Sequence, residues 1–272
     1  DPNISYAGPY SVPDVPVRIV NSAQKSALHA RLDTTAPYLG TPTYEVLSGA
    51  YAALEGFVPG GGLAANGKRV VVLITDGVPD PDMPAGRSMA NGEVTGSLSI
   101  TTAEAAKKPP VTTFAVGVGQ LDPIDISIYD PQFMGAIAVA GGSPNMPCDP
   151  NETVNPANMC HFQITPGTKT AAMLAQEFIA AINTIRTKLL TCEYVLEKPD
   201  GGAEVDPAKV NVVFTNGGGM KSVVPPDATN GWSYDDPKNP TKVILNGASC
   251  AAAKADASGK ITVVLGCKTI IK

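Results

Sequence analysis

Histidine is almost missing from this chain, which holds only His29 and His161 among 272 residues. General-base and nucleophilic catalysis most often relies on an imidazole beside a Ser, a Cys or a carboxylate. No Ser–His–acid or Cys–His arrangement assembles here, and each histidine reads as a surface or packing residue. Charge is also scarce: Asp, Glu, Lys and Arg make up 17% of the chain, with a net charge of −5. No basic run or aromatic-interleaved patch exists, which excludes a nucleic-acid surface. Cys-x-x-Cys is absent, and Cys160-His161 is too close to act as a ligand pair, so zinc is excluded. No apolar stretch approaches the roughly 20 residues that cross a bilayer, and no segment reads as a signal peptide. For a processed chain that second absence leaves export open.

Proline (25) and glycine (27) are plentiful, which implies many turns and ordered loops of the kind that suit an extracellular protein. The apolar fraction of 43% is ordinary for a folded protein, and the length allows one large domain or a medium and a small one. Five cysteines stand at 148, 160, 192, 250 and 267. Cys148 and Cys160 bracket a loop rich in Asn and Pro, a natural disulfide clip. Of Cys192, Cys250 and Cys267, two are expected to pair and the third to meet a cysteine outside this chain. Free buried thiols are the alternative. Disulfides would place the protein in an oxidising compartment.

Periodicity supplies the elements. A short strand is expected around 15–20 and a helix around 22–33. From Pro42 to Phe57 apolar residues recur at three- and four-residue steps, with Thr41 suited to the N-cap and Pro42 to the first helical position. Val70 to Ile74 is a continuous apolar run, read as a strand buried on both faces. A helix is expected near 100–108, a second buried strand over 111–119, a helix over 131–140 and a short strand over 161–164. Thr168 is expected to cap a long amphipathic helix whose stripe runs from Ala171 to Leu189. Alternation of strand and helix to residue 190 predicts a doubly wound, mostly parallel α/β sheet. After Thr191 strands dominate, at 192–196, 209–214, 221–224, 241–245 and 261–265, with a helical patch at 250–256. Residues 191–272 therefore read as a small Cys-containing β-rich module. Trp232 to Asp236 is an aromatic-acidic turn that packs its core.

Two segments carry chemistry. Gly40-Thr41-Pro42-Thr43 opens a helix, and Ile74-Thr75-Asp76-Gly77 ends the apolar strand on a carboxylate. The carboxyl ends of strands are where open α/β sheets place ligands. A hydroxyl and a carboxylate there suit a hard cation, which takes oxygen ligands and keeps several waters. The bland alternatives are a helix cap for Thr41 and a turn cap for Asp76. Asp80 and Asp82 could add a second cation site but more simply form a solvated turn. Gly117-x-Gly119 lacks the third glycine and the acidic partner of a dinucleotide fingerprint.

In order and spacing, these two segments resemble the second and third loops of a von Willebrand factor A (VWA) domain, over roughly residues 15–190. The resemblance implies a metal-ion-dependent adhesion site in which Thr41 and Asp76 are ligands, with Thr43 a further candidate in the first helical turn. It implies Mg²⁺, or Ca²⁺ or Mn²⁺, with an open position for a carboxylate from a protein or surface ligand. The family's first loop, Asp-x-Ser-x-Ser, is absent. Asp1-Pro2-Asn3-Ile4-Ser5 imitates it without a preceding strand. The expectation is therefore a VWA domain at 1–190 whose first strand and helix are cleaved, disordered or supplied by another segment. A VWA domain followed by a Cys-containing β module also resembles surface proteins of gliding deltaproteobacteria.

The function that follows is cation-dependent adhesion at a bacterial cell surface, outer membrane or extracellular space. The alternatives are a structural or assembly protein of the envelope, working as a homo-oligomer with an incomplete metal site, and a metal-dependent hydrolase.

Overall fold

The computed structural model describes residues 10–36, 41–61, 63, 67–76, 78–79, 90–122, 129–196, 205–256 and 259–266. Two compact units divide the chain, Asp1–Ala181 and Ile182–Lys272. The architecture is mixed α/β, with one parallel sheet and two antiparallel ones.

In the first unit a three-stranded parallel sheet is built from β1 (Val70–Thr75), β2 (Thr112–Val118) and β3 (Phe162–Ile164), in that order. Val71 pairs with Thr113 and Thr75 with Gly117. Parallel neighbours need long crossovers, and α3 (Ala90–Ala105) and α4 (Pro131–Ala140) lie in those connections. Before the sheet come α1 (Ser22–Asp33) and α2 (Thr43–Glu55). The core joins Leu47 and Tyr51 of α2, Leu73 of β1, Ala115 of β2, and Phe133, Met134 and Ile137 of α4. Each such apolar side chain, fully buried, contributes about 1.5–3 kcal/mol.

The direction of α2 follows from Arg69. Just before β1, its guanidinium donates to the carbonyls of Leu54 (2.5 Å) and Phe57 (3.1 Å). The end of α2 therefore lies at the start of β1. A helix of 13 residues and a strand of 6 are each about 20 Å long. The N-terminus of α2 thus returns to the carboxyl end of β1. Helix α3 runs alongside α2 in the same direction: Glu93 meets the Tyr44 amide, and Thr101 meets the Tyr51 hydroxyl. Helix α4 runs against β2, because Gly141 at its end accepts from the Thr113 amide, while Tyr129 at its beginning packs on Gly117 and Gly119.

Among its described residues the second unit holds six strands, β4 (Glu193–Val195), β5 (Val210–Thr215), β6 (Lys221–Val224), β7 (Trp232–Tyr234), β8 (Lys242–Leu245) and β9 (Lys260–Leu265). They form two antiparallel sheets ordered β4-β8-β7 and β6-β5-β9. Val210, Val212, Val224, Trp232, Val243 and Leu245, drawn from both sheets, share one core. The indole of Trp232 donates to the Val224 carbonyl at 3.1 Å, so its one polar atom is satisfied inside. A disulfide joins Cys192 to Cys250 on the short helix that follows β8 (Gly247–Ala255). The helix Ala171–Leu189 spans the boundary between the units.

Several local expectations need correction. Residues 15–20 form no strand: Pro16 removes a ladder donor, and Val17, Ile19 and Val20 are exposed. Helix α3 begins at Ala90, ten residues before the expected start. Pro42, not Thr41, holds the N-cap of α2, and no side chain caps from that position. Thr170, not Thr168, caps the long helix, its hydroxyl accepting from the Met173 amide. Arg186 of the long helix donates to the Asp256 carbonyl at 2.9 Å. Trp232–Tyr234 is a strand and not a turn, although its Trp does pack the core as expected.

Candidate cation site at the carboxyl rim

The element directions place the N-termini of α2, α3 and α4 at one rim, together with the carboxyl ends of β1 and β2. Helix N-termini carry partial positive charge from unpaired amides, and carboxylates are stabilised beside them. The rim is furnished accordingly. Asp130 caps α4 by accepting from the Phe133 amide at 3.0 Å. Glu93 of α3, only 5% exposed, accepts from the Tyr44 amide of α2 at 3.0 Å and supplies the cap that Pro42 does not. Glu45 stands in the first turn of α2, and Asp76 immediately follows β1.

Of the expected ligands, Asp76 is exposed at the end of β1, and Thr41 is half-buried just ahead of α2. Strand and helix directions bring both to this rim. Thr43 is buried, and its hydroxyl turns back to the Thr41 carbonyl at 3.2 Å. That bond uses its proton and leaves an oxygen lone pair. Asp80, Asp82, Gly77 and the 1–5 segment lie outside the described residues.

The donor chemistry fits a hard cation. Among the described residues no three His, Cys, Asp or Glu side chains gather as a metal-ligand group. A cation at this rim would therefore draw on hydroxyl oxygens and water as well as carboxylates, in the manner of Mg²⁺. One oxygen is conspicuously unused. Glu45 is 6% exposed, and its Oε2 is buried with no hydrogen-bond partner among the described residues. The sequence hides this signal in plain view. A Glu at the third helical position normally reaches back to the N-cap amide, but Pro42 has no N–H to offer.

Beside the rim lies a buried polar cluster. Tyr129 donates to Gln163 Oε1 at 2.5 Å, and His161 Nε2 lies 2.8 Å from the same oxygen and 3.0 Å from the Tyr129 hydroxyl. Gln163 in turn donates to the Gly119 carbonyl at 2.9 Å. Because the Tyr129 proton goes to Gln163, its oxygen is free to accept, which puts the His161 proton on Nε2. Nδ1 is then a bare acceptor, buried and without a hydrogen-bond partner among the described residues. Burial pushes the Tyr129 phenol up and the His161 imidazole down. The cluster pins the start of α4 to the ends of β2 and β3, a positioning role. It also explains Gly117 and Gly119, whose missing side chains make room for the Tyr129 ring.

Cys148 and Cys160 are joined, as are Cys192 and Cys250, and Cys267 lies outside the described residues. No described helix is long and apolar enough to cross a membrane. On the flank of the first unit, β1 is an edge strand among the described residues, and Ile74 is 47% exposed. Beside it an open apolar groove of about 460 Å³ is lined by Pro13, Val17, Ala53, Phe57, Val58 and Val70, among others. The chain matches no protein-family model, no curated protein and no solved structure.

Proposed function

We propose that the first unit is a VWA-type, doubly wound domain that binds a partner through a divalent cation held at the carboxyl rim. The observation that carries this reading is the antiparallel packing of α2 on β1. It delivers Thr41, ahead of one element, to the same end as Asp76, after the other. Thr41 and Asp76 would hold the cation, with Thr43 behind them. A bound Mg²⁺ supplies a Lewis-acidic point with an open position for a partner's carboxylate oxygen. The chain's own part is to present few negative ligands, so that the incoming carboxylate completes the shell. The parallel sheet keeps these ligands fixed on packed elements.

Two disulfides support an oxidising compartment. We place the protein outside the cytoplasm, at a bacterial cell surface, as an adhesion protein without catalytic activity. The test uses a carboxylate-rich surface, immobilised succinylated albumin, beside its methyl-esterified counterpart. Expected is capture on the first surface only, lost with chelator and lost in Asp76→Ala. Equal capture with and without chelator overturns the reading.

A second reading, an envelope assembly module, is favoured by the edge position of β1 among the described residues and by the apolar groove beside it. Val58 there is 84% exposed, and Val70–Thr75 carries no charge or proline to discourage pairing. It predicts concentration-dependent self-association in sedimentation velocity that chelator leaves unchanged.

A further inference from the structure

We propose that two copies of this chain pair through β1, edge to edge and antiparallel, about a two-fold axis at Val72. This rests on the assembly reading above and names its partner and its register.

A continuous apolar run such as Val70 to Ile74 is what a parallel strand with neighbours on both sides carries. The structure gives β1 one neighbour. β2 pairs along its whole length, and among the described residues no strand pairs with the other edge. Edges are ordinarily blunted by charge or proline, and Val70–Thr75 holds neither. What an edge of this kind accepts is another strand, whose amides and carbonyls meet its own.

The two faces of β1 select which strand. Val71 and Leu73 join the core with α2, and Arg69 reaches the Leu54 and Phe57 carbonyls at the end of that helix. By alternation Lys68, Val70, Val72, Ile74 and Asp76 line the opposite face. There Ile74 is 47% exposed. Lys68 and Asp76 are both exposed, and neither forms an ion pair among the described residues.

A two-fold axis between antiparallel neighbours stands normal to the sheet. It keeps each face on its own side, so every residue lies opposite one of the same face. Centred on Val72, it sets Val70 opposite Ile74 and Lys68 opposite Asp76, at both ends of the ribbon. On the α2 face it sets Val71 opposite Leu73. Centred on Val71 it would set Lys68 against Ile74, and centred on Leu73 it would set Val70 against Asp76. Of these three registers only the one at Val72 matches apolar with apolar and cation with anion on the exposed face. Cross-strand pairs of both kinds are stabilising. The sheets of the two copies then run on as one, β3-β2-β1-β1-β2-β3, and the assembly closes as a dimer because each copy uses up the edge of the other. The Asp76 carboxylate is taken by Lys68 of the second copy, so this association needs no divalent cation.

The experiment is sedimentation velocity of the full chain over a concentration series, in chelator and at low salt, where exposed charges are least screened. The native protein is compared with Lys68→Glu, with Asp76→Lys and with an equimolar mixture of the two variants. The native chain is expected to show a monomer–dimer equilibrium. Each variant alone sets like charges opposite each other at both ends, and its dimer is expected to weaken by at least about tenfold. In the mixture both ends carry opposite charges again, so association is expected to recover between unlike chains. Amide exchange of Val70–Thr75 is expected to slow as the native dimer forms. Association that neither variant weakens, or that fails to recover in the mixture, overturns the register and leaves the assembly reading standing. Dimer formation without slower exchange in β1 does the same. A native chain that stays monomeric throughout overturns both.

Discussion

Replacing Gly117 with alanine should be among the most damaging single-methyl additions to the first unit. A methyl group there would overlap the Tyr129 hydroxyl outright, and would lie 2.8 Å from Tyr129 Cζ and 3.2 Å from His161 Cδ2. The backbone has no freedom to retreat, because Gly117 pairs with Thr75 on one side and Gln163 on the other. Tyr129 must move instead. Overpacking of this kind costs about 1–3 kcal/mol. Displacing the phenol also strands the partners of its hydroxyl, which adds about 1–3 kcal/mol. The expected loss is therefore about 2–6 kcal/mol, a large part of the stability of an ordinary domain. Tyr129→Phe alone should cost less, about 1 kcal/mol, since His161 Nε2 still reaches Gln163 Oε1. The double variant should be less damaged than the sum by at least about 1 kcal/mol, because the hydroxyl is the first atom the methyl meets. Amide hydrogen exchange across β2 measures this directly. The sole tryptophan, Trp232, belongs to the second unit, so its fluorescence transition in urea is the internal control. A Gly117→Ala cost below about 1 kcal/mol, or strict additivity, would refute the packing argument.

Acid should loosen the first unit. Burial holds His161 below its ordinary 6.5, and the Gln163 hydrogen bond and the charge of Asp130 only partly oppose it. The unfolded chain therefore takes up this proton more readily than the folded one. The contribution is whole above about pH 6.5 and is lost as pH falls below it; His161→Gln should flatten that limb of the stability–pH curve. Asp235 in the second unit is held far below the usual carboxylate range, chiefly by the Thr241 hydroxyl. Its contribution is present above the unfolded value and disappears only in strong acid, so urea midpoints read by Trp232 should stay flat where those of the first unit decline. Opening the Cys192–Cys250 bridge, which spans 58 residues, should cost about 4 kcal/mol by loop entropy, and opening Cys148–Cys160, which spans 12, about 3. Paired Cys→Ser variants in urea check the order, and an equal or reversed cost contradicts it.

Much of this arrangement is visible in the residues themselves. The Thr112–Val118 strand announces itself as a buried run, and Asp130-Pro131 marks the start of α4 by cap and proline. Val70 to Ile74 is a strand as its apolar run predicts, but at the sheet edge among the described residues only Leu73 of that run is buried and Ile74 is exposed. Helix α3 is less legible. Its sequence carries Gly92, Gly96 and three threonines, all poor helix formers, and it is held by packing on α2, to whose first turn Glu93 is hydrogen-bonded. Strand β7 is three residues long and runs straight into Asp235-Asp236, too short for alternation to register. The rim shows the same division. Thr41 and Asp76 stand out in the sequence because each punctuates an element, and the fold carries both to the same end of the sheet. The Tyr129–His161–Gln163 cluster joins residues more than thirty positions apart, and no local pattern marks it.

The central claim is a divalent-cation site at the carboxyl rim, and titration calorimetry of the full chain with Mg²⁺ and Mn²⁺ tests it most directly. The account expects one saturable site that vanishes in Asp76→Ala and weakens in Thr41→Ala, with the hydrogen-exchange pattern of β1 and β2 otherwise preserved. No saturable binding in the native protein, or unchanged binding in Asp76→Ala, would contradict it.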